Sequence, residues 1–112
     1  MSSTVILITT QGMGHADPDL QHALIARYLQ ILLDDEKLPD AICFYTEGVR
    51  LVCVGSPVLD QLRGLQERGV HLIVCKTCLD SFGLADQVQV GLIGGMPDIV
   101  EAQWRAEKVI TL

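Results

Sequence analysis

With 112 residues, 49% of them hydrophobic, the chain is long enough for one domain with a real core, which excludes a disordered polymer. The net charge is −6 and the eight basic residues are scattered, so no basic stripe exists for a nucleic-acid backbone or an anionic membrane surface. The first apolar run, Val5-Ile6-Leu7-Ile8, is too short for a signal-peptide core or a membrane span, and no basic segment precedes it; a cytoplasmic location is expected. In a reducing compartment, four cysteines point to free, catalytic or metal-bound thiols before a disulfide framework.

The first predicted strand covers residues 4–8. It exits into Thr9-Thr10-Gln11-Gly12-Met13-Gly14-His15-Ala16-Asp17. Gly12 and Gly14 allow close approach by a ligand or a neighbouring part of the chain. The segment is not a dinucleotide fingerprint, because Asp17 stands where the third glycine belongs, and no Lys-Ser/Thr follows as in a P-loop. His15 reads either as a pocket acid–base group, a common role of imidazole, or as a solvated loop residue.

A helix over residues 17–33 is expected, with Asp17 as N-cap and Pro18 in the first helical position. Its apolar residues form two stripes, Leu20, Leu24, Tyr28 and Ile31 on one side and Ile25, Leu29 and Leu33 nearly opposite. One stripe covers a sheet. The other is left for a second partner, and a homo-oligomer is expected. Asp34-Asp35-Glu36 reads as a solvated acidic loop.

Residues 41–45 form a second strand that places Cys43 in the core. The run Gly48-Val49-Arg50-Leu51-Val52-Cys53-Val54-Gly55 follows as a connection. Its Cys53 reads either as pocket-lining or as a thiol tucked under its apolar neighbours. A helix over 56–68, opened by Ser56-Pro57 and closed by Gly69, leads to a third strand at 70–74. The tetrad Cys75-Lys76-Thr77-Cys78 comes next, then a short helical turn ending at Gly83. A fourth strand at 88–93, a turn through Gly94-Gly95, a helix over 97–105 and a fifth strand at 108–112 complete the order. This alternation predicts one α/β domain over residues 1–112, a three-layer α/β/α fold with a mainly parallel five-stranded sheet.

Cys78 is the leading candidate for chemistry. Thr77 reads as the N-cap of the following turn, with Asp80 three residues on as in a capping box, which places Cys78 in the first helical position. Free N–H groups there favour thiolate over thiol, and Lys76 adds positive charge, so a lowered Cys78 pKa is expected. Cys75 reads as a strand-end neighbour, either packed or close enough to pair with Cys78. In thioredoxin-like C-x-x-C motifs the first cysteine takes the helix start. Here Cys78 is the better placed of the two, so single-thiol chemistry is favoured over dithiol exchange. One C-x-x-C is half a structural zinc site, and His15, His22 and His71 offer no second close-spaced pair; neither a metal nor an organic cofactor is expected.

The chain resembles the DsrE/DsrF-like group of small sulfur-relay proteins. More narrowly, it is similar to the DsrE-like C-terminal domain of YedF-type selenium-metabolism proteins. The likeness rests on Phe44-Tyr45-x-x-Gly48-Val49-x-Leu51-x-Cys53-x-Gly55-Ser56, on Gly69-Val70, on Cys75-x-Thr77-Cys78-Leu79-Asp80-x-x-Gly83-Leu84 and on Lys108-Val109-Ile110-x-Leu112. It implies a five-stranded α/β/α fold, oligomers of like or related subunits, and a loop cysteine that carries sulfur as a persulfide. The matching position is Cys78. Lys76 departs from the glycine usual in that branch, and the SirA-like sulfur-carrier module of YedF-type proteins does not accompany this sequence, so such a carrier is expected in another chain. The expected activity is passage of persulfide sulfur, or selenium, through Cys78, with Cys75, Cys53, Thr77, Lys76 and His15 as accessory candidates. Backbone N–H groups just beyond Cys78 are expected to stabilise the persulfide anion. The rival readings are a non-enzymatic oligomeric or redox-regulatory module of the same fold, and a small-ligand site at the Gly12–Gly14 loop.

Overall fold

The apolar runs join in a single sheet in the order β4-β3-β2-β1-β5, with every neighbouring pair parallel. The structure, a computed structural model, describes residues 3–112. Its strands are β1 (Thr4–Ile8), β2 (Ala41–Phe44), β3 (His71–Cys75), β4 (Leu92–Gly94) and β5 (Lys108–Thr111). Its helices are α1 (Pro18–Asp34), α2 (Leu59–Glu67), α3 (Lys76–Phe82) and α4 (Met96–Arg105), and a 3₁₀ segment, Thr46–Val52, lies between β2 and α2. Among the described residues, no helix is long and apolar enough to cross a membrane.

The strand order determines where the helices go. From β1 through β4 the chain advances across the sheet in one direction, and right-handed crossovers keep those helices on one face. The return from β4 to β5 reverses direction and sends α4 to the other. Side-chain register agrees. Ile6 and Ile110 lie beside Tyr28 and Leu32 of α1, whereas Val5, Ala41 and Ile73 lie beside Asp98, Ala102 and Arg105 of α4. The three central strands carry apolar residues on both faces because both are covered. Phe44, Ile6, Ile8, Ile25, Leu29 and Ile42 are fully buried, each worth about 1.5–3 kcal/mol of hydrophobic transfer.

Local signals set α1. The Asp17 carboxylate accepts from the Leu20 amide at 3.2 Å, and Pro18 occupies the first turn. Ile25 and Leu29 of one stripe are buried and Leu33 is partly so, while in the other stripe Tyr28 packs partly against the core and Leu20, Leu24 and Ile31 stay exposed. The glycines of the preceding loop serve the chain itself. A Cβ on Gly12 would stand 2.3 Å from the Gln21 carbonyl oxygen, so only glycine lets the loop lie on α1. The Gln21 side chain donates to the Gly14 carbonyl at 2.7 Å and fastens the same loop.

Three elements outside the cysteine tetrad differ from expectation. Helix α2 starts at Leu59, because the Ser56 hydroxyl accepts from the Val58 amide and makes a turn ahead of the helix. Strand β4 shrinks to Leu92–Gly94; Val88 forms an antiparallel bridge with Cys53, and Gly91, at φ +86°, redirects the chain between them. The Thr46–Val52 stretch, read as a plain connection, winds into 3₁₀ turns. It docks so closely on β1 that a Cβ on Gly48 would stand 2.1 Å from the Ile8 carbonyl oxygen.

Candidate thiol site

Because the sheet is parallel, β1, β2 and β3 all end at one edge, where open α/β sheets bind ligands. Cys75 is the last residue of β3, beside Gly94, and also the N-cap of α3. The helix therefore starts at Lys76, earlier than expected, and places Thr77 second and Cys78 third. Thr77 is not the cap, and the capping box with Asp80 does not form. Asp80 instead accepts from Lys76 Nζ at 2.7 Å, one turn away. Leu79, fully buried, roots α3 in the core, and Gly83 closes the helix in the left-handed conformation at φ +68°.

The four cysteines are all free, and only Cys78 is more than marginally accessible; Cys43, Cys53 and Cys75 are at most 3% exposed. The Cys78 sulfur accepts a hydrogen bond from the backbone N–H of Thr46 at 3.1 Å, across 32 residues of sequence. Thr46 has a left-handed backbone, φ +47°, unusual for a β-branched residue. Its hydroxyl lies 2.6 Å from the Thr9 carbonyl and 2.7 Å from that of Tyr45. The exits of β1, β2 and β3 thus meet in a chain of contacts from Thr9 through Thr46 to Cys78. A second tie holds the 3₁₀ segment to α3: the Arg50 guanidinium, paired with Glu47, sits 4.6 Å from the centre of the Phe82 ring.

The expected lowering of the Cys78 pKa is corrected. Partial burial pushes the thiol above its ordinary value, and hydrogen bonding with Cys75 pushes it further, while the Thr46 amide works in the opposite direction. Lys76 gives no help, because Asp80 holds its ammonium. The amides just beyond Cys78 are not free either, since from the fourth helical residue onward the N–H groups are taken by the helix itself. The backbone donor at the sulfur is Thr46. Nothing in the sequence signals this: a glycine or asparagine would mark a left-handed residue, and a threonine after a strand does not.

The accessory candidates separate. Cys75 adjoins Cys78 but is buried. Cys53 is buried and directs its thiol to the Val49 carbonyl at 3.3 Å; burial raises its pKa, against a smaller lowering by Arg50. Its geometry is that of a packed thiol. His15 is exposed in the β1–α1 loop and makes no hydrogen bond to Cys78. Among the described residues, no group of three His, Cys, Asp or Glu side chains comes together to hold a metal. A cleft lined by Ser3, Asp40, His71 and Arg105 lies at the opposite, amino-terminal end of the strands.

The DsrE/DsrF-like family model matches residues 3–112 and so spans this entire architecture. The chain belongs to the DsrE/DsrF-like family. No curated protein matches it. Among solved structures, this DsrE/DsrF-like chain is similar to the ychN protein from E. coli, at 21% identity and a TM-score of 0.76, with all of both chains covered. It is also similar to MTH1491 of Methanobacterium thermoautotrophicum, described as a protein of unknown function, at 20% identity and a TM-score of 0.73, again over all of both chains. A third similar structure is BT1422 of Bacteroides thetaiotaomicron, at 17% identity and a TM-score of 0.70, covering 98% of this chain and 95% of that one. At these identities the likeness concerns the fold.

Proposed function

We propose that this DsrE/DsrF-like protein carries sulfane sulfur on Cys78. The observation that supports the reading is a single accessible thiol at the carboxyl edge of a parallel sheet, with a backbone N–H aimed at its sulfur. In the loading step, Cys78 thiolate attacks the outer sulfur of a donor persulfide. The donor S–S bond breaks, the donor leaves as a thiolate, and Cys78 becomes a persulfide. In the unloading step, an acceptor thiolate attacks that outer sulfur and Cys78 leaves as thiolate. Each step moves one sulfur atom and needs no external oxidant or reductant. Because the Cys78 pKa is raised, loading speeds up as pH climbs from neutral toward that pKa.

Mass spectrometry after treatment with a persulfide donor tests this. One added sulfur is expected on Cys78 and none on a Cys78→Ser variant; an unmodified Cys78 refutes the reading. Membership of the YedF-type branch, selenium as an alternative cargo and a SirA-like acceptor belong to the same proposal. So does self-assembly through the exposed Leu20, Leu24 and Ile31 of α1. A monomer at micromolar concentration by light scattering removes that last part.

A redox-regulatory module is the second reading, favoured by the adjacency of Cys75, the N-cap of α3, to Cys78 in its first turn. It predicts a Cys75–Cys78 disulfide under mild oxidant and no sulfur transfer.

A further inference from the structure

We propose that Thr46 is the positioning residue of this site: its hydroxyl anchors a left-handed backbone that aims the Thr46 N–H at the sulfur of Cys78. The role in sulfur loading rests on the sulfur-carrier reading, whereas the role at the thiolate stands on geometry alone. Three observations meet at one residue. Thr46 occupies a conformation that β-branched residues avoid, so something must hold it there. The hydroxyl supplies the holding contact: it donates at 2.6 Å to the Thr9 carbonyl, 37 residues away at the exit of β1. The consequence of that conformation is the 3.1 Å approach of the N–H to Cys78 Sγ.

Two amides flanking Thr46 serve the backbone. The Tyr45 amide donates to the Ile8 carbonyl and the Gly48 amide to the Tyr45 carbonyl. The Thr46 N–H departs from this pattern to meet a side-chain sulfur. A donor already in place favours the thiolate over the thiol and costs no rearrangement when charge develops. The same N–H faces the inner sulfur of a Cys78 persulfide and also steadies Cys78 as the leaving thiolate in unloading. The charged groups on the surrounding elements are otherwise engaged. Glu47 and Arg50 of the 3₁₀ segment pair with each other, as do Lys76 and Asp80 of α3. Cys75 is the neighbouring thiol, and the loop that contains Thr9 carries His15 and Asp17.

The test is the pH profile of Cys78 alkylation by iodoacetamide, read by mass spectrometry on Thr46→Val, Thr46→Ser and Thr46→Gly variants, each first checked for a native melting transition. Valine keeps the shape and loses the anchor. Below the thiol pKa its alkylation is expected to fall about tenfold, the order of effect of one lost hydrogen bond to a charged group. At a pH well above the pKa its rate should return to that of the wild type. Serine restores the hydroxyl and should restore the profile. Glycine adopts the left-handed backbone without an anchor and should fall between wild type and valine. A valine variant with the wild-type profile overturns the proposal. So does a loss of rate that is uniform across pH, which would mark altered access in place of altered thiolate stability. If valine is unfolded, the serine and glycine variants decide: a glycine variant that matches wild type at low pH, or a serine variant that loses the profile, overturns it. Persulfide treatment of the wild type is scored separately. An unloaded Cys78 beside a shifted valine profile refutes sulfur carriage and leaves Thr46 positioning intact.

Discussion

Replacing Gly48 with alanine tests whether the 3₁₀ segment is wedged against β1 as the structure has it. A Cβ at that position would stand 2.1 Å from the Ile8 carbonyl oxygen and 2.7 Å from the carbonyl carbon. Real contacts begin near 3 Å, so backbone must move by almost 1 Å, and a β-strand end cannot turn away as a side-chain tip can. Gly48 does not have a positive φ, so the cost is steric and not conformational. Overpacking of this kind costs about 2–3 kcal/mol. For a domain of this size that lowers Tm by ~10 °C. Gly64→Ala is the matched control. It lies within α2, and its new Cβ would meet the Leu33 side-chain end at 3.3 Å, which can yield. Alanine is the better helix former by up to ~1 kcal/mol, so this variant should be neutral or slightly stabilised. Urea unfolding of both variants measures the contrast. A Gly48→Ala protein within ~0.5 kcal/mol of wild type, the usual scatter of harmless substitutions, refutes the wedge. Because Gly48 is two residues from Thr46, Gly48→Ala should also slow Cys78 alkylation, whereas Gly64→Ala should not.

Alkylation of the native protein at about pH 8, below the ordinary thiol range, should place one label on Cys78, and the other three thiols should react only after unfolding, as counted by mass spectrometry. Burial pushes Cys43 up to about 11 from 9.0. Between those two values the unfolded chain releases a proton that the folded one keeps, so stability falls as pH rises through this window. Subtracting the pH–stability curve of Cys43→Ala from that of wild type should isolate the decline, and parallel curves would refute it. Phe44→Ala removes a fully buried aromatic ring from the central strands and should cost about 3–5 kcal/mol in urea unfolding. Asp17→Ala removes the α1 cap and should cost about 1 kcal/mol by the same measurement.

Much of the architecture was legible in one dimension because its causes are local. Residues 17 and 18 announce the start of α1 by their own chemistry, and Gly69, at φ +94°, ends the α2 turn as a glycine there must. Ile42, Cys43 and Phe44, apolar without alternation in a run too short for a helix, fit a strand covered on both faces, and all are buried. The α/β/α class, the parallel sheet and the burial of Cys43 follow from such patterns. The two apolar stripes of α1 were visible as well. Which of them faces the sheet depended on packing, and it is the stripe of Ile25 and Leu29.

The candidate site was visible as a place and hidden as an arrangement. Four adjacent residues, Cys75 to Cys78, pointed to the edge of the sheet. Whether the helix began at Cys78 or at Lys76 was settled by how far β3 pairs with β4, down to Cys75 beside Gly94. That shift moved Cys78 from the first helical position to the third, and in the folded chain it is a half-buried thiol whose pKa is raised by burial and by Cys75. The partner that offsets the rise, Thr46, lies 32 residues away and is held by Thr9, 37 residues further back still. Periodicity and capping report on neighbours within a turn or two of chain, and they carry the fold. The hydrogen bond to the candidate sulfur exists only because a parallel sheet brings three strand ends to one edge, and only the folded chain does that.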